Sequence, residues 1–305
     1  MRTFKALLKR EFWEHKGGIF YTPAIMAAVF ATMMIVFGFS GDHFVLNGEH
    51  KIDFSQKLPT VVETFEATPD EERSKGVQIG LHGTGLVFSL VSLVICLFYA
   101  LGSLYDERKD RSILFWKSLP VSDTVTVLSK FVSITLLVPV SYFIVITIFQ
   151  VFFLLYFTVF SWFGGSSGIT LWASSNLFGV MFNNLLHLVL ASLWLAPLWA
   201  WLMLASAWAK KVAFLWGGLP ILMIIIAEGW IFQTSRFAEM FAERIGKSVM
   251  IQNSPINNLL GGDMFDGITY TAGEVLGGAP FWVGLGVAAI FLAGAIYTRR
   301  YRDEA

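Results

Sequence analysis

Apolar residues in this chain gather into long unbroken runs rather than the narrow stripe of a soluble surface helix. At 1.5 Å per residue, about 20 largely apolar residues cover the roughly 30 Å of a bilayer's hydrocarbon. Six segments meet that length, 20–39, 83–104, 125–160, 176–208, 212–232 and 281–297. Backbone groups in lipid must pair within the segment, which a helix achieves and an open sheet edge does not. The pattern therefore predicts an all-α integral membrane protein, with six transmembrane helices in a single domain over 1–305.

The polar intervals carry weaker patterns. Over residues 3–16, Phe4, Leu7, Leu8, Phe12 and Trp13 fall toward one side of a helix while Lys5, Lys9 and Lys16 fall elsewhere. This predicts an interfacial helix within 1–18, with its cations toward anionic headgroups and membrane lipids as its partners. The intervals 40–82 and 233–280 are long for structureless connections, so short helices are expected inside them. One of these is an amphipathic helix over 236–249 with Phe237, Met240, Phe241, Ile245 and Val249 in its stripe. Pro139, Pro197 and Pro220 fall inside spans, where each can bend a helix.

Charge gives the topology a direction. Lys and Arg concentrate in the N-terminal stretch, in 105–123, at Lys210 and Lys211, and in the tail. The longer intervals 40–82 and 233–280 hold fewer, so the positive-inside bias puts both termini and 105–123 in the cytoplasm and the two long intervals outside. A bacterial cytoplasmic (inner) membrane is the expected location. The start lacks a small-residue cleavage site after its apolar run, so it is expected to be retained. Composition agrees, with 55% hydrophobic and 14% charged residues where soluble domains carry about 25% charge. Zero formal net charge leaves no broad electropositive surface for a nucleic-acid backbone.

Candidate chemistry is sparse. Asn183, Asn184 and His187 give the fourth span its most polar face, and Glu228 lies near one end of the fifth. Asn183, His187 and Glu228 are candidates for a translocation path, against the alternatives of interhelical hydrogen bonding for the first two and snorkelling for Glu228. The Trp-rich stretch 194–208 reads as packing surface. The five histidines show no His-x-x-His or His-Glu-x-x-His spacing, so no metal site is expected. Gly246, Lys247 and Ser248 imitate the end of a phosphate loop, but Phe241 stands where the first glycine belongs and no strand precedes it. No catalytic or cofactor-binding group is expected in this chain. Cys96, the single cysteine, lies in an apolar run.

The densest charge cluster joins the second and third spans and reads Leu104-Tyr-Asp-Glu-Arg-Lys-Asp-Arg-Ser-Ile-Leu-Phe-Trp-Lys-Ser-Leu-Pro-Val-Ser-Asp123. Asp110 or Ser112 can cap a short helix containing Ile113, Leu114, Phe115 and Trp116, which Pro120 ends. Ser122 or Asp123 can cap the next, with Lys130 inside it. This segment resembles the permease subunits of ABC-2 type ABC transporters. Their pattern is Glu-Arg, two variable residues, Gly, a hydroxyl residue, a short apolar helix, Pro-Val-Ser and a later Lys. Glu107, Arg108, Ser112, Pro120, Val121, Ser122 and Lys130 match, and Arg111 replaces the glycine.

The resemblance implies a coupling helix, with Glu107, Arg108, Ser112, Ile113, Phe115, Trp116, Pro120, Ser122 and Lys130 as the partner-coupling set. It also implies a second permease copy or paralogue, and a dimer of cytosolic ATP-binding subunits holding ATP and magnesium. Its implied activity is export of a substrate, amphipathic in one reading, driven by ATP hydrolysis in the partner. A membrane-embedded enzyme and an ATPase-independent secondary transporter are the alternative classes.

Overall fold

The computed structural model describes residues 2–39, 54–118, 120–259 and 271–301, and all regular structure among them is helical. Helix α1 (Arg2–Glu14) runs through a widened π-type turn, Gly17–Tyr21, into α2 (Thr22–Phe39). Helix α3 (Phe54–Ala67) precedes α4 (Asp70–Gly102), whose 33 residues span about 50 Å. The short helices α5 (Tyr105–Lys109) and α6 (Ser112–Ser118) follow. Helix α7 (Asp123–Val132) leads through a second wide turn, Ser133–Leu137, into α8 (Val138–Phe163). Next come α9 (Ile169–Ser175), α10 (Leu177–Trp194), α11 (Ala196–Trp208) and α12 (Ala213–Ala227). A third wide turn, Glu228–Phe232, leads toward α13 (Arg236–Leu259), then α14 (Ala272–Gly277) and α15 (Ala279–Tyr301).

Among the described residues six helical segments are long and apolar enough to cross a bilayer, Gly17–Val36, Asp70–Lys109, Asp123–Phe163, Ile169–Trp194, Ala213–Phe232 and Ala279–Tyr301. The protein is a multi-spanning, all-helical membrane protein. Of the interval expected as loop at 40–82, residues 54–67 and 70–82 are helical. The start of α4 is too polar for a hydropathy reading, yet Asp70, Glu71 and Glu72 suit a first helical turn, where backbone N–H groups favour anions. The histidines at 43 and 50, the residues at 40–53 and 260–270, and the last four residues lie outside the described residues.

The core is built by α4, α8, α10, α11 and α15, around fully buried Phe88, Tyr142, Trp199 and Met203. Helices α11 and α15 lie side by side along their length, with Ala200, Ala207, Ala288 and Ala295 buried on them. Small side chains let helices approach where no hydrophobic force separates helix from lipid. Helix α12 docks closely at one glycine. A Cβ on Gly217 would meet Leu101 at 2.8 Å and Leu202 at 3.0 Å, while Trp201 Nε1 donates to the Gly217 carbonyl at 2.9 Å. Elsewhere Phe214, Leu215, Trp216, Leu219, Leu222 and Met223 are exposed, as in a helix facing lipid.

The three prolines behave differently. Pro139 follows the wide turn in which Val138 N–H reaches back to Ser133, and Pro220 stays inside α12. Pro197 follows the break at Leu195 that divides the fourth apolar run into α10 and α11. Arg244 of α13 serves that break, donating to the Trp194 carbonyl from Nε (3.0 Å) and Nη2 (2.7 Å) and to the Pro280 carbonyl (3.1 Å). Burial lowers the Arg244 pKa. The face of α13 against the bundle therefore carries Arg244, Ser248 and Ile251, whereas Met240 and Ile245 of the expected stripe point outward. An apolar stripe can face lipid as readily as protein.

Candidate functional site

Helix α1, the last turns of α15, α5 and the start of α7 meet at one end of the bundle, and the meeting is electrostatic. Glu107 is buried and accepts from Arg10 Nη2 at 2.7 Å and Arg299 Nη1 at 2.6 Å, with Lys130 Nζ at 3.0 Å. Lys130 is 1% exposed and lies 3.0 Å from Glu11, itself 0% exposed. Tyr99 donates to Glu11 at 2.5 Å, and Arg299 Nε reaches Asp123 at 3.0 Å. Three cations, Arg10, Lys130 and Arg299, thus face three carboxylates, Glu11, Glu107 and Asp123. Isolated charges in such a site would be strongly disfavoured; mutual pairing makes their burial tolerable.

The network joins α1, α4, α5, α7 and α15. Burial alone would lower the pKa of Arg10, but Glu11, Glu107 and Glu14 outweigh it and raise the value above the ordinary one. His15, packed edge-on against Tyr99 at 4.4 Å, has its pKa lowered by burial. Glu11, Glu14 and His15 place ligand atoms within 4.8 Å of one another, as a metal ion would need. Glu11 is already in contact with Lys130, Arg10 and Tyr99, so a cation there would compete with those groups.

Helix α6 is mounted on this network. Ile113 is buried beneath it, Ser112 Oγ donates to the Glu107 carbonyl at 3.3 Å, and Arg10 lies over the Trp116 ring at 3.8 Å. Leu114 and Phe115 are 58% and 60% exposed. Arg111 adopts φ 56°, the left-handed region where a Cβ is unfavourable and glycine is at ease. Pro120 is exposed, and Ser122 caps α7 by accepting from Val125 N–H at 3.3 Å.

Two expected docking charges are turned inward. Glu107 lies in the ion network, and Arg108 donates to the carbonyls of Ser206 (2.5 Å) and Ala209 (2.9 Å) at the end of α11. Unpaired carbonyls at a helix C-terminus attract a guanidinium more strongly than water-facing space does. Trp116 is held by Arg10, so the exposed apolar pair is Leu114 and Phe115 rather than Phe115 and Trp116.

Of the candidate path residues, Asn183 and His187 lie together on α10 and Glu228 does not join them. Asn184 Oδ1 is 2.9 Å from His82 Nδ1 on α4, and His187 Nδ1 is 2.8 Å from the Asn183 carbonyl. His82, Asn184 and His187 line a small crevice with Ser89 and Ile146. Glu228 lies apart from them and accepts from Thr234 Oγ1 and Phe237 N–H, both at 2.9 Å, which caps the start of α13.

Sequence reasoning missed Arg10, Glu11, Tyr99, Asp123 and Arg299 as members of one site. Glu11 had a signal: it stands one turn after Leu7 on the apolar side of α1, where a carboxylate needs a partner. Comparison of the chain with protein-family models, curated proteins and solved structures finds no match.

Proposed function

We propose that this chain is the membrane subunit of an ABC-2 type exporter, with α6 as its coupling helix. One observation carries the reading: α6 presents exposed Leu114 and Phe115 on a base of buried ion pairs that ties α5 to α1, α7 and α15. A push on α6 from a docked subunit would pass through Trp116 to Arg10 and Glu107, and from there to α7 and α15. Two further features support it. The sequence from Glu107 to Lys130 resembles the permease pattern, and the position of the missing glycine has a glycine-like backbone at Arg111. In this reading the ion-network end faces the cytoplasm, and ATP with magnesium binds a separate subunit.

An ATPase-independent secondary transporter would draw on the same buried charges. Glu107, Glu11, Lys130 and Arg299 are all mutually paired, which suits a static joint better than a proton relay.

The test uses the full chain co-expressed and reconstituted with a soluble ABC-type ATP-binding subunit. Leu114→Ala with Phe115→Ala removes the exposed pair without touching the ion network, and is expected to lower partner co-purification and stimulated ATP hydrolysis at least tenfold while leaving membrane insertion unchanged. A double variant with unaltered docking and hydrolysis would remove α6 from that role. Substrate movement driven by an ion gradient with no ATPase present would favour the secondary transporter.

A further inference from the structure

The opposite end of the bundle holds a cavity of about 700 Å³ that the coupling reading does not use. It lies between α3, the start of α4 and the last turns of α8, with Met34 of α2 and Leu171 of α9 also lining it. Phe153, Tyr156, Phe157 and Phe160 form its aromatic wall, with Phe153 and Phe157 4.7 Å apart and Tyr156 and Phe160 4.6 Å apart. Gly76 and Gly80 leave the facing side open. A Cβ at Gly76 would meet nothing within 4 Å, and one at Gly80 only Phe153 at 4.0 Å. The volume falls within the roughly 300–1,000 Å³ of small-ligand sites, which are mostly apolar with a few converging polar groups.

The polar groups collect at Glu72 and Arg73, and they are not equivalent. Arg73 is committed within the protein: Nε donates to Ser174 Oγ at 3.0 Å, Nη1 to the carbonyls of Glu66 and Thr68 at 3.2 and 3.3 Å, and Nη2 pairs with Asp70. Lys75, one turn on, pairs with Glu71 at 2.8 Å. Among the described residues Glu72 makes no ion pair within 4 Å, and Lys75 acts on it only from a longer distance. An anionic head would meet this carboxylate and find the guanidinium occupied, whereas a cation would meet a carboxylate whose neighbouring Lys75 is already bound to Glu71. Water alone would find few hydrogen-bonding groups along the aromatic wall.

We propose that this cavity binds a single-chain cationic amphiphile, with its hydrocarbon tail along the Phe153 to Phe160 wall and its positive head at Glu72. Binding is a property of this chain alone and stands whether or not an ATP-binding partner docks at α6.

The experiment uses Ser161→Cys as a reporter in the cavity wall. Ser161 donates only to the Phe157 carbonyl within its own helix, and the native thiol, Cys96, is buried. In lipid nanodiscs, the rate of maleimide labelling at residue 161 is followed with decyltrimethylammonium and, separately, decyl sulfate. The cation is expected to slow labelling saturably, at about fivefold lower concentration than the sulfate, as suits a partly solvated ion pair. Adding the exposed substitution Glu72→Gln is expected to abolish that preference while the cation still protects. Adding Gly76→Leu, which narrows the cavity, is expected to weaken protection by both. No saturable protection, equal protection by both heads, or an unchanged preference in Glu72→Gln would each overturn the proposal.

Discussion

The two ends of this bundle are held by different physics. At the end where α1 meets the last turns of α15, buried carboxylates and cations pair across α1, α5, α7 and α15, Tyr99 of α4 donates to Glu11, and each group depends on partners from distant parts of the chain. At the opposite end α3, α4, α8 and α9 meet through aromatic and aliphatic side chains around a cavity. Apolar contact is non-directional and survives a gap at a graded cost. A buried charge loses almost all its compensation when one partner is removed. The first end is therefore suited to transmitting a displacement, and the second to accommodating a guest.

The largest test of that contrast is Glu107→Gln. It leaves Arg10, Lys130 and Arg299 short of a buried counter-charge and is expected to cost about 3–5 kcal/mol, the range for breaking a buried pair. Gly76→Leu at the other end enters open space and is expected to shift stability by less than about 1 kcal/mol, as substitutions away from packed or charged features do. Thermal unfolding of both variants in the same detergent checks the difference. Equal losses would erase the distinction between the ends.

A smaller effect, of opposite sign, is expected from Arg111→Gly. Relief of the left-handed backbone is worth roughly 1–2 kcal/mol, offset by about 0.5–1 kcal/mol of extra chain entropy in the unfolded state. The net gain is expected to be about 1 kcal/mol, read as a raised midpoint of thermal unfolding. A loss would show that the Arg111 side chain supports the turn more than its backbone strains it.

The smallest is a pH effect at His15. Its folded pKa is lowered by burial, so the neutral ring stabilises the fold fully above the unfolded value of 6.5. That contribution declines as pH falls below 6.5, because the unfolded chain binds the proton first. Between pH 7.5 and 5.5 the wild type is expected to lose more thermal stability than His15→Gln. An identical loss in both would assign the acid sensitivity to other groups.

How much of this was legible beforehand differs from element to element. The spans near residues 20–39, 212–232 and 281–297 were visible because apolar length is a local quantity. The short helix at Ser112–Ser118 and the cap at Ser122 were also visible, since hydroxyl and proline signals act within a turn. The beginning of α4 was not, because its acidic first turn resembles a loop to any measure of hydropathy. The helix carrying Met240 and Ile245 was visible from its apolar stripe, but the inward face with Arg244, Ser248 and Ile251 was not, since a polar face gives no local sign that it packs against protein.

By itself the sequence determined the class of the molecule: long apolar runs must cover their backbone polar groups, and in lipid a helix does so within each run. It also marked the 105–123 segment as chemically exceptional. Only the tertiary structure decided what those charges do. Glu11 finds Lys130 across 119 residues and Glu107 finds Arg299 across 192. Helical periodicity orders neighbours three and four residues apart, whereas the partner of a buried charge is chosen by which helices pack together, a choice distributed over every interface in the bundle.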